Sequence, residues 1–173
     1  MCIRDSLITG AGPVGRVVAR ELASRGHECL IMSRHDTTVN LGPRVQHITG
    51  DATSKESYPA NIDGIAHCIH AAYNAEQWRK LLIPAEETAL HIAAERTIPI
   101  VFPESTYGFD PNREEVSPTT PLTDSRHGKP GVRAQLIDAR LASRAHTVSV
   151  IAADLFGPDS GPVSYTHLRA HET

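Results

Sequence analysis

Leu7-Ile8-Thr9-Gly10-Ala11-Gly12-Pro13-Val14-Gly15-Arg16 is a short apolar run that empties into G-x-G-x-x-G and passes straight into residues at helical spacing. Strand, glycine loop and helix in that order make the local shape a pyrophosphate requires. Gly10 permits a tight turn, Gly12 lets the backbone approach an anion with no Cβ in the way, and Gly15 lets the helix lie close to the strand. The N–H groups at the helix start then face the phosphates. Val14, Val17, Val18 and Leu22 fall on one face of the expected helix, and Arg16, Arg20, Glu21 and Arg25 on the other. Gly26 ends it, and 28–32 reads as a second buried strand. The alternative is an ordinary helix N-terminus that binds nothing.

Working outward, the pattern keeps alternating. A third strand is expected at 45–48, a fourth at 65–70, a fifth at 98–102 and a sixth at 148–152. Between the fourth and fifth, Trp78, Leu81, Leu82, Ala85, Ala89, Ile92 and Ala93 make a helical stripe, with Pro84 either starting the main helix or kinking it. A further helix is expected at 130–145, behind a long loop at 108–128 that should border the active cleft. The acidic pair Glu114-Glu115 in that loop reads as solvated surface. Strands alternating with helices imply a parallel sheet with right-handed crossovers, a Rossmann-type doubly wound α/β/α sandwich of three layers.

Composition narrows the function classes. The chain has 173 residues, enough for one domain with a real core, and a formal charge of −3 without a basic stripe, which argues against a nucleic-acid partner. No run approaches a membrane span and no signal-peptide pattern opens the chain, so the expected location is the cytoplasm. Cys29 and Cys68 lie in apolar strands without C-x-x-C spacing and read as buried reduced thiols. His67 and His70, read as lying on one strand, would point to opposite faces and pack there, so no metal site is expected.

The two ends read differently from the middle. Met1-Cys2-Ile3-Arg4-Asp5-Ser6 back-translates to ATG TGT ATA AGA GAC AG, and Val163-Ser164-Tyr165-Thr166-His167 to part of its reverse complement. The pair resembles the transposon mosaic end used in preparing sequencing libraries, and 168–173 continues as its adapter would. The domain organisation expected is therefore adapter-derived residues at 1–6, a dinucleotide-binding domain at 7–162 and adapter-derived residues at 163–173, the middle being an internal piece of a longer gene.

With the glycine loop, Asp51-Ala52, Ala71-Ala72, Thr106-Tyr107-Gly108 and Asp154-Leu155-Phe156-Gly157-Pro158 in this order, the chain resembles the NAD-dependent epimerase/dehydratase family of extended or atypical short-chain dehydrogenases/reductases. Relatives continue past the Gly-Pro landmark into a smaller C-terminal substrate domain, which the resemblance implies is lacking here. It also implies that Gly10, Ala11, Gly12, Pro13, Val14 and Gly15 hold the pyrophosphate, that Asp51 and Ala52 border the adenine, and that Ala71, Ala72 and Tyr73 border the nicotinamide-side ribose. The glycine pattern is one residue shorter than the family's commoner T-G-x-x-G-x-x-G, which favours an atypical member. At the end of the second strand, where an acidic residue would bind the adenosine ribose, stands Ser33-Arg34, whose guanidinium suits a 2′-phosphate. NADP is thus favoured over NAD, although Asp36 is close enough to offer a carboxylate.

The family's chemistry needs a Tyr-x-x-x-Lys pair and a substrate-orienting Ser. Matching Lys129 to the family lysine puts Ser125 at the tyrosine position; matching the helix by its later residues puts His127 and Gly131 there. Neither restores a phenol. Ser105 is the nearest candidate for the orienting hydroxyl, with Pro103-Glu104 standing where relatives commonly carry Ser or Thr. Tyr107 is a candidate phenol that more readily reads as shaping the pocket, and Lys129 a candidate charge beside the cofactor that more readily reads as a solvated loop lysine. The expectation is a hydride-transferring reductase, dehydrogenase or epimerase acting on a small hydroxyl- or carbonyl-bearing substrate, nucleotide sugars included, homodimeric in its full-length parent and inactive as this fragment. The rival expectation is a dinucleotide-binding sensor or scaffold that lost its proton-transfer chemistry.

Overall fold

A computed structural model describes residues 5–36 and 40–153. Six strands form one parallel sheet: β1 (Asp5–Thr9), β2 (Glu28–Ser33), β3 (Val45–Thr49), β4 (Gly64–His67), β5 (Pro99–Glu104) and β6 (His146–Ile151), in the order β3-β2-β1-β4-β5-β6. Three helices connect them: α1 (Pro13–Ser24), α2 (Ala75–Arg96) and α3 (Gly128–Ala142). This is the doubly wound Rossmann order, whose direction of winding reverses between β1 and β4.

Leu7 and Ile8 of the central strand β1 are buried on opposite faces of the sheet, so each meets a different core. Ile8 packs with Cys29, Ile31 and the α1 residue Ala19 on one side. Leu7 packs with Met32, Ile65, Ile100 and Phe102, under Ala85, Ala89, Ile92 and Ala93 of α2, on the other. Helices therefore cover both faces. The strand begins two residues ahead of Leu7: Asp5 and Ser6 pair with Glu28 and Cys29 of β2, and Ser6 also with Gly64 of β4. Backbone pairing is indifferent to whether those two side chains are native, so the sheet centre closes on both sides of β1.

Several boundaries move. On α1 the buried positions are Gly15 and Ala19, whereas Val17 is half exposed, because small residues let the helix press against the strand. β4 stops at His67, so His70 lies beyond the strand, not on its opposite face. Pro84 does not start α2; it lies inside one continuous helix that runs from the Asn74 cap, whose side chain accepts from the Glu76 and Gln77 N–H groups, to a left-handed Thr97. Thr88 Oγ1 donates to the Pro84 carbonyl at 2.9 Å. α3 covers 128–142, two residues earlier at its start than expected and three earlier at its end.

Candidate functional site

The crevice opens at the carboxyl ends of β1, β4 and β5, where the winding reverses. On its β1 side the three glycines have three different reasons. Gly10 sits at φ 101°, and a Cβ there would stand 2.7 Å from the Cys68 carbonyl oxygen of the neighbouring loop. A Cβ on Gly15 would stand 1.9 Å from the Gly10 carbonyl oxygen, so helix and loop touch backbone to backbone. A Cβ on Gly12 would meet no atom of the described residues within 4 Å. The protein itself does not require glycine at position 12; the open space beside it is what a phosphate would use. Gly12 is also the N-cap of α1, with no side-chain cap on the first-turn N–H groups and Pro13 in the first turn. Arg16, one residue past Gly15, has a buried Nε with no hydrogen-bond partner among the described residues. A helix start whose N–H groups face the loop, beside a guanidinium nitrogen without a partner among the described residues, fits a pyrophosphate.

Beneath the loop, the last residues of β1 and β4 meet. Thr9 Oγ1 and His67 Nδ1 share a hydrogen bond of 2.9 Å, both groups buried. Burial, with Arg140 and Arg133 adding positive charge, pushes the His67 imidazole down to about 3, so the ring is neutral. It is a strand-packing histidine, as the sequence suggests. His70 is lowered by burial and by Arg133, and packs edge-on to Trp78 at 5.7 Å.

On the adenosine side, Arg34 is exposed at the end of β2, while the Asp36 carboxylate lies 3.3 Å from His47 Nδ1. Both side chains are exposed, and the Arg34 charge also favours the ionised Asp51 carboxyl. Ser33 Oγ donates to the His35 carbonyl at 2.6 Å and lies 2.8 Å from His47 Nε2, which holds the turn after β2. Asp51 accepts from the Thr53 N–H and hydroxyl, which hold its carboxyl below the usual range, and Ala52 is buried.

The β5 side carries what sequence reasoning missed. Arg140 reaches Glu86 through Nε at 2.6 Å and Nη2 at 2.7 Å, and Glu104 through Nη1 at 2.8 Å, with all three residues buried. Burial works against the Arg140 charge, and the two carboxylates together outweigh it and hold the guanidinium above its ordinary value. Glu104 also accepts from the Ser105 N–H at 2.7 Å and lies 3.4 Å from Arg133 Nη1. Arg133 in turn lies over the Trp78 ring at 4.7 Å. The network ties α2, α3 and the end of β5 into one rigid wall. Its signal in the sequence was a charge interrupting an apolar helix face: Glu86 beside Ala85 and Ala89, Arg140 beside Leu136 and Ile137.

The candidate catalytic residues come together in part. Tyr107, in the 3-10 turn Thr106–Gly108, places its hydroxyl 2.7 Å from that of Tyr73, on the connection from β4 to α2 that also carries Ala71 and Ala72. Lys129 is not a solvated loop lysine: it lies in the first turn of α3, half-buried, with Nζ 2.9 Å from the centre of the Tyr73 ring. Ser105 is engaged with Glu104 through its N–H and hydroxyl. The two sequence registers separate here as well. A Cβ on Gly131 would meet the Arg126 carbonyl carbon at 2.5 Å, so no lysine fits at that position, whereas the register that uses Lys129 leaves its ammonium at the crevice. Ser125, the residue that stands for tyrosine in that register, is exposed. Glu114 and Glu115 are exposed, and Cys29 and Cys68 are free thiols that burial pushes up to about 11 and about 12. Among the described residues no cluster of metal-ligating side chains occurs, and no helix is long and apolar enough to cross a membrane. The Asp154 to Pro158 landmark lies outside the described residues.

Sheet order and crevice define a Rossmann-type α/β protein. The chain matches the NAD dependent epimerase/dehydratase family over residues 6–171 and belongs to it. Among solved structures it is similar to the Bordetella bronchiseptica enzyme WbmG in complex with NAD and UDP (TM-score 0.77, 17% identity, 98% of this chain and 61% of that one). It is also similar to WbmH of the same organism in complex with NAD+ (TM-score 0.75, 17% identity, 98% and 63%) and to UDP-glucose 4-epimerase from Brucella ovis in complex with NAD (TM-score 0.66, 18% identity, 86% and 51%). The chain thus spans 51 to 63% of the length of these three structures. No curated protein matches it in sequence.

Proposed function

We propose that this chain is the cofactor domain of an NAD(P)-dependent oxidoreductase that moves a hydride between nicotinamide and a small hydroxyl- or carbonyl-bearing substrate. The carrying observation is Gly12: among the loop glycines it is the one whose missing Cβ leaves space that no atom of the described residues uses. Gly10, Ala11, Gly12, Pro13, Val14 and Gly15 would hold the pyrophosphate against the start of α1, with Arg16 adding charge, while Asp51 and Ala52 border the adenine and Ala71, Ala72 and Tyr73 the nicotinamide-side ribose. The cofactor, when bound, supplies the hydride acceptor or donor. Arg34, an exposed guanidinium at the end of β2 where an acidic residue would bind the adenosine ribose, supports NADP over NAD. Nucleotide sugars are the favoured substrate class, because the similar structures include a UDP complex and a UDP-glucose epimerase. The fragment by itself would bind cofactor without turnover, and the full-length parent would work in the cytoplasm as a homodimer.

A second reading, a cofactor-binding sensor without proton chemistry, is favoured by one observation: neither register restores the family's phenol, Ser125 standing at the tyrosine position when Lys129 is matched to the lysine and His127 when the helix is matched by its later residues. Thermal unfolding of the chain alone, with NADPH and with NADH tests the shared part of both readings. A ligand at a hundred times its Kd adds about 2.7 kcal/mol. A melt raised more by NADPH than by NADH is the expected result; a cooperative melt that neither moves overturns the glycine-loop site. Hydride transfer by the full-length parent to any carbonyl substrate removes the sensor reading.

A further inference from the structure

In the register that matches Lys129 to the family lysine the chain lacks the family phenol, yet two other phenols lie beside Lys129. Tyr73 arrives from the loop after β4 and Tyr107 from the turn after β5, with hydroxyls 2.7 Å apart, and Lys129 Nζ stands 2.9 Å from the Tyr73 ring centre. Trp78, 1% exposed, braces both rings, at 5.8 Å from Tyr73 and 6.5 Å from Tyr107. The phenols themselves are 47% and 40% exposed, at the rim of the crevice where a substrate oxygen can reach them.

We infer that Tyr73 carries the proton exchanged with the substrate, while Tyr107 and Lys129 are positioning residues that stabilise its anion. The inference rests on the oxidoreductase reading above. In the reducing direction the substrate carbonyl carbon gains a hydride from the reduced nicotinamide, its oxygen takes the proton of the Tyr73 O–H, and the tyrosinate regains a proton from water. The carbonyl becomes an alcohol and the nicotinamide is oxidised. A phenolate only accepts hydrogen bonds, so in the ionised form the bond between the two hydroxyls has Tyr107 as donor. The ammonium against the ring supplies an opposite charge at short range. Tyr73 thus has the two supports a catalytic phenol needs, drawn from two elements distant in sequence. The other charged or titratable groups around the cluster are Arg133 of α3 and His70, both packed on Trp78.

The test is ultraviolet titration of tyrosinate in the full chain without cofactor, so it does not depend on the cofactor-binding result. Expected is a tyrosinate step that is lost in Tyr73→Phe, moves to higher pH in Tyr107→Phe and in Lys129→Met, and returns to its original position in Lys129→Arg. Thermal melts establish that each variant is folded, and Lys129→Arg keeps the comparison valid if Lys129→Met unfolds. A step indifferent to Lys129→Met, or one lost in Tyr107→Phe and kept in Tyr73→Phe, overturns the assignment. If the melts of the parent chain ignore both dinucleotides while the titration behaves as expected, the oxidoreductase reading fails and the phenol pair stands.

Discussion

The two walls of the crevice are built by different physics. The β1 wall is mainly backbone against backbone: Gly15 lies on the Gly10 carbonyl, with the Ile8 side chain beside it, and Gly10 lies on the Cys68 carbonyl. The β5 wall is side chain against side chain, with Glu86, Arg140, Glu104 and Arg133 joined across α2, β5 and α3. A wall made of backbone contacts leaves space beside it, and a wall made of buried ions holds α2, α3 and the end of β5 in register at a desolvation cost.

The largest effect should come from breaking the ionic wall at its hub. Arg140→Met leaves two buried carboxylates without their shared guanidinium and is expected to cost about 3–5 kcal/mol in urea unfolding. Adding Glu86→Met should regain most of that, because Glu104 then keeps Arg133 at 3.4 Å and no charge is left stranded; a double variant as unstable as the single one would show that packing, not charge, holds the wall. Next comes the backbone wall: Gly15→Ala forces a Cβ to within 1.9 Å of a carbonyl oxygen and should lose about 3 kcal/mol. Equal stability of Gly15→Ala and the parent would mean the helix is free to slide.

A third test lies where the walls meet. His67 has a folded value of about 3, below its unfolded value of about 6.5. A depressed base contributes stability that is present above the unfolded value and lost as pH falls toward the folded one, since the unfolded chain binds the proton first. Between pH 6.5 and pH 5 the chain should lose about 2 kcal/mol through this group, at about 1.4 kcal/mol per pH unit. His67→Gln should flatten that slope in urea midpoints measured across the range. The smallest effect on stability is the sharpest on function: Gly12→Ala should cost at most about 1 kcal/mol, as an N-cap change, while removing the NADPH-induced rise in melting temperature. A Gly12→Ala chain that still responds to NADPH would place the cofactor elsewhere.

The contrast also explains what could be read from the chain. The β1 wall was legible because its determinants are local: Leu7 to Arg16 contains strand, turn and helix start within ten residues, and each glycine's role follows from its place in that run. The β5 wall was not, because Glu86 and Arg140 stand 54 residues apart and each reads alone as a charge on a helix. Val17 was placed on the buried face by its apolarity, but Gly15 and Ala19 took that face because only small residues allow the close approach the glycine loop requires.

The sequence by itself determined the alternation of strands and helices, the parallel sheet and the glycine loop at the start of α1, since these depend on periodicity and on backbone freedom within short windows. Only the tertiary structure decided that Lys129 meets Tyr73 and not a tyrosine four residues before it, and that Glu104 is held by two arginines of α3. Contacts between side chains brought in by separate strands have no period to betray them, because sheet order and helix packing set their meeting and sequence spacing does not.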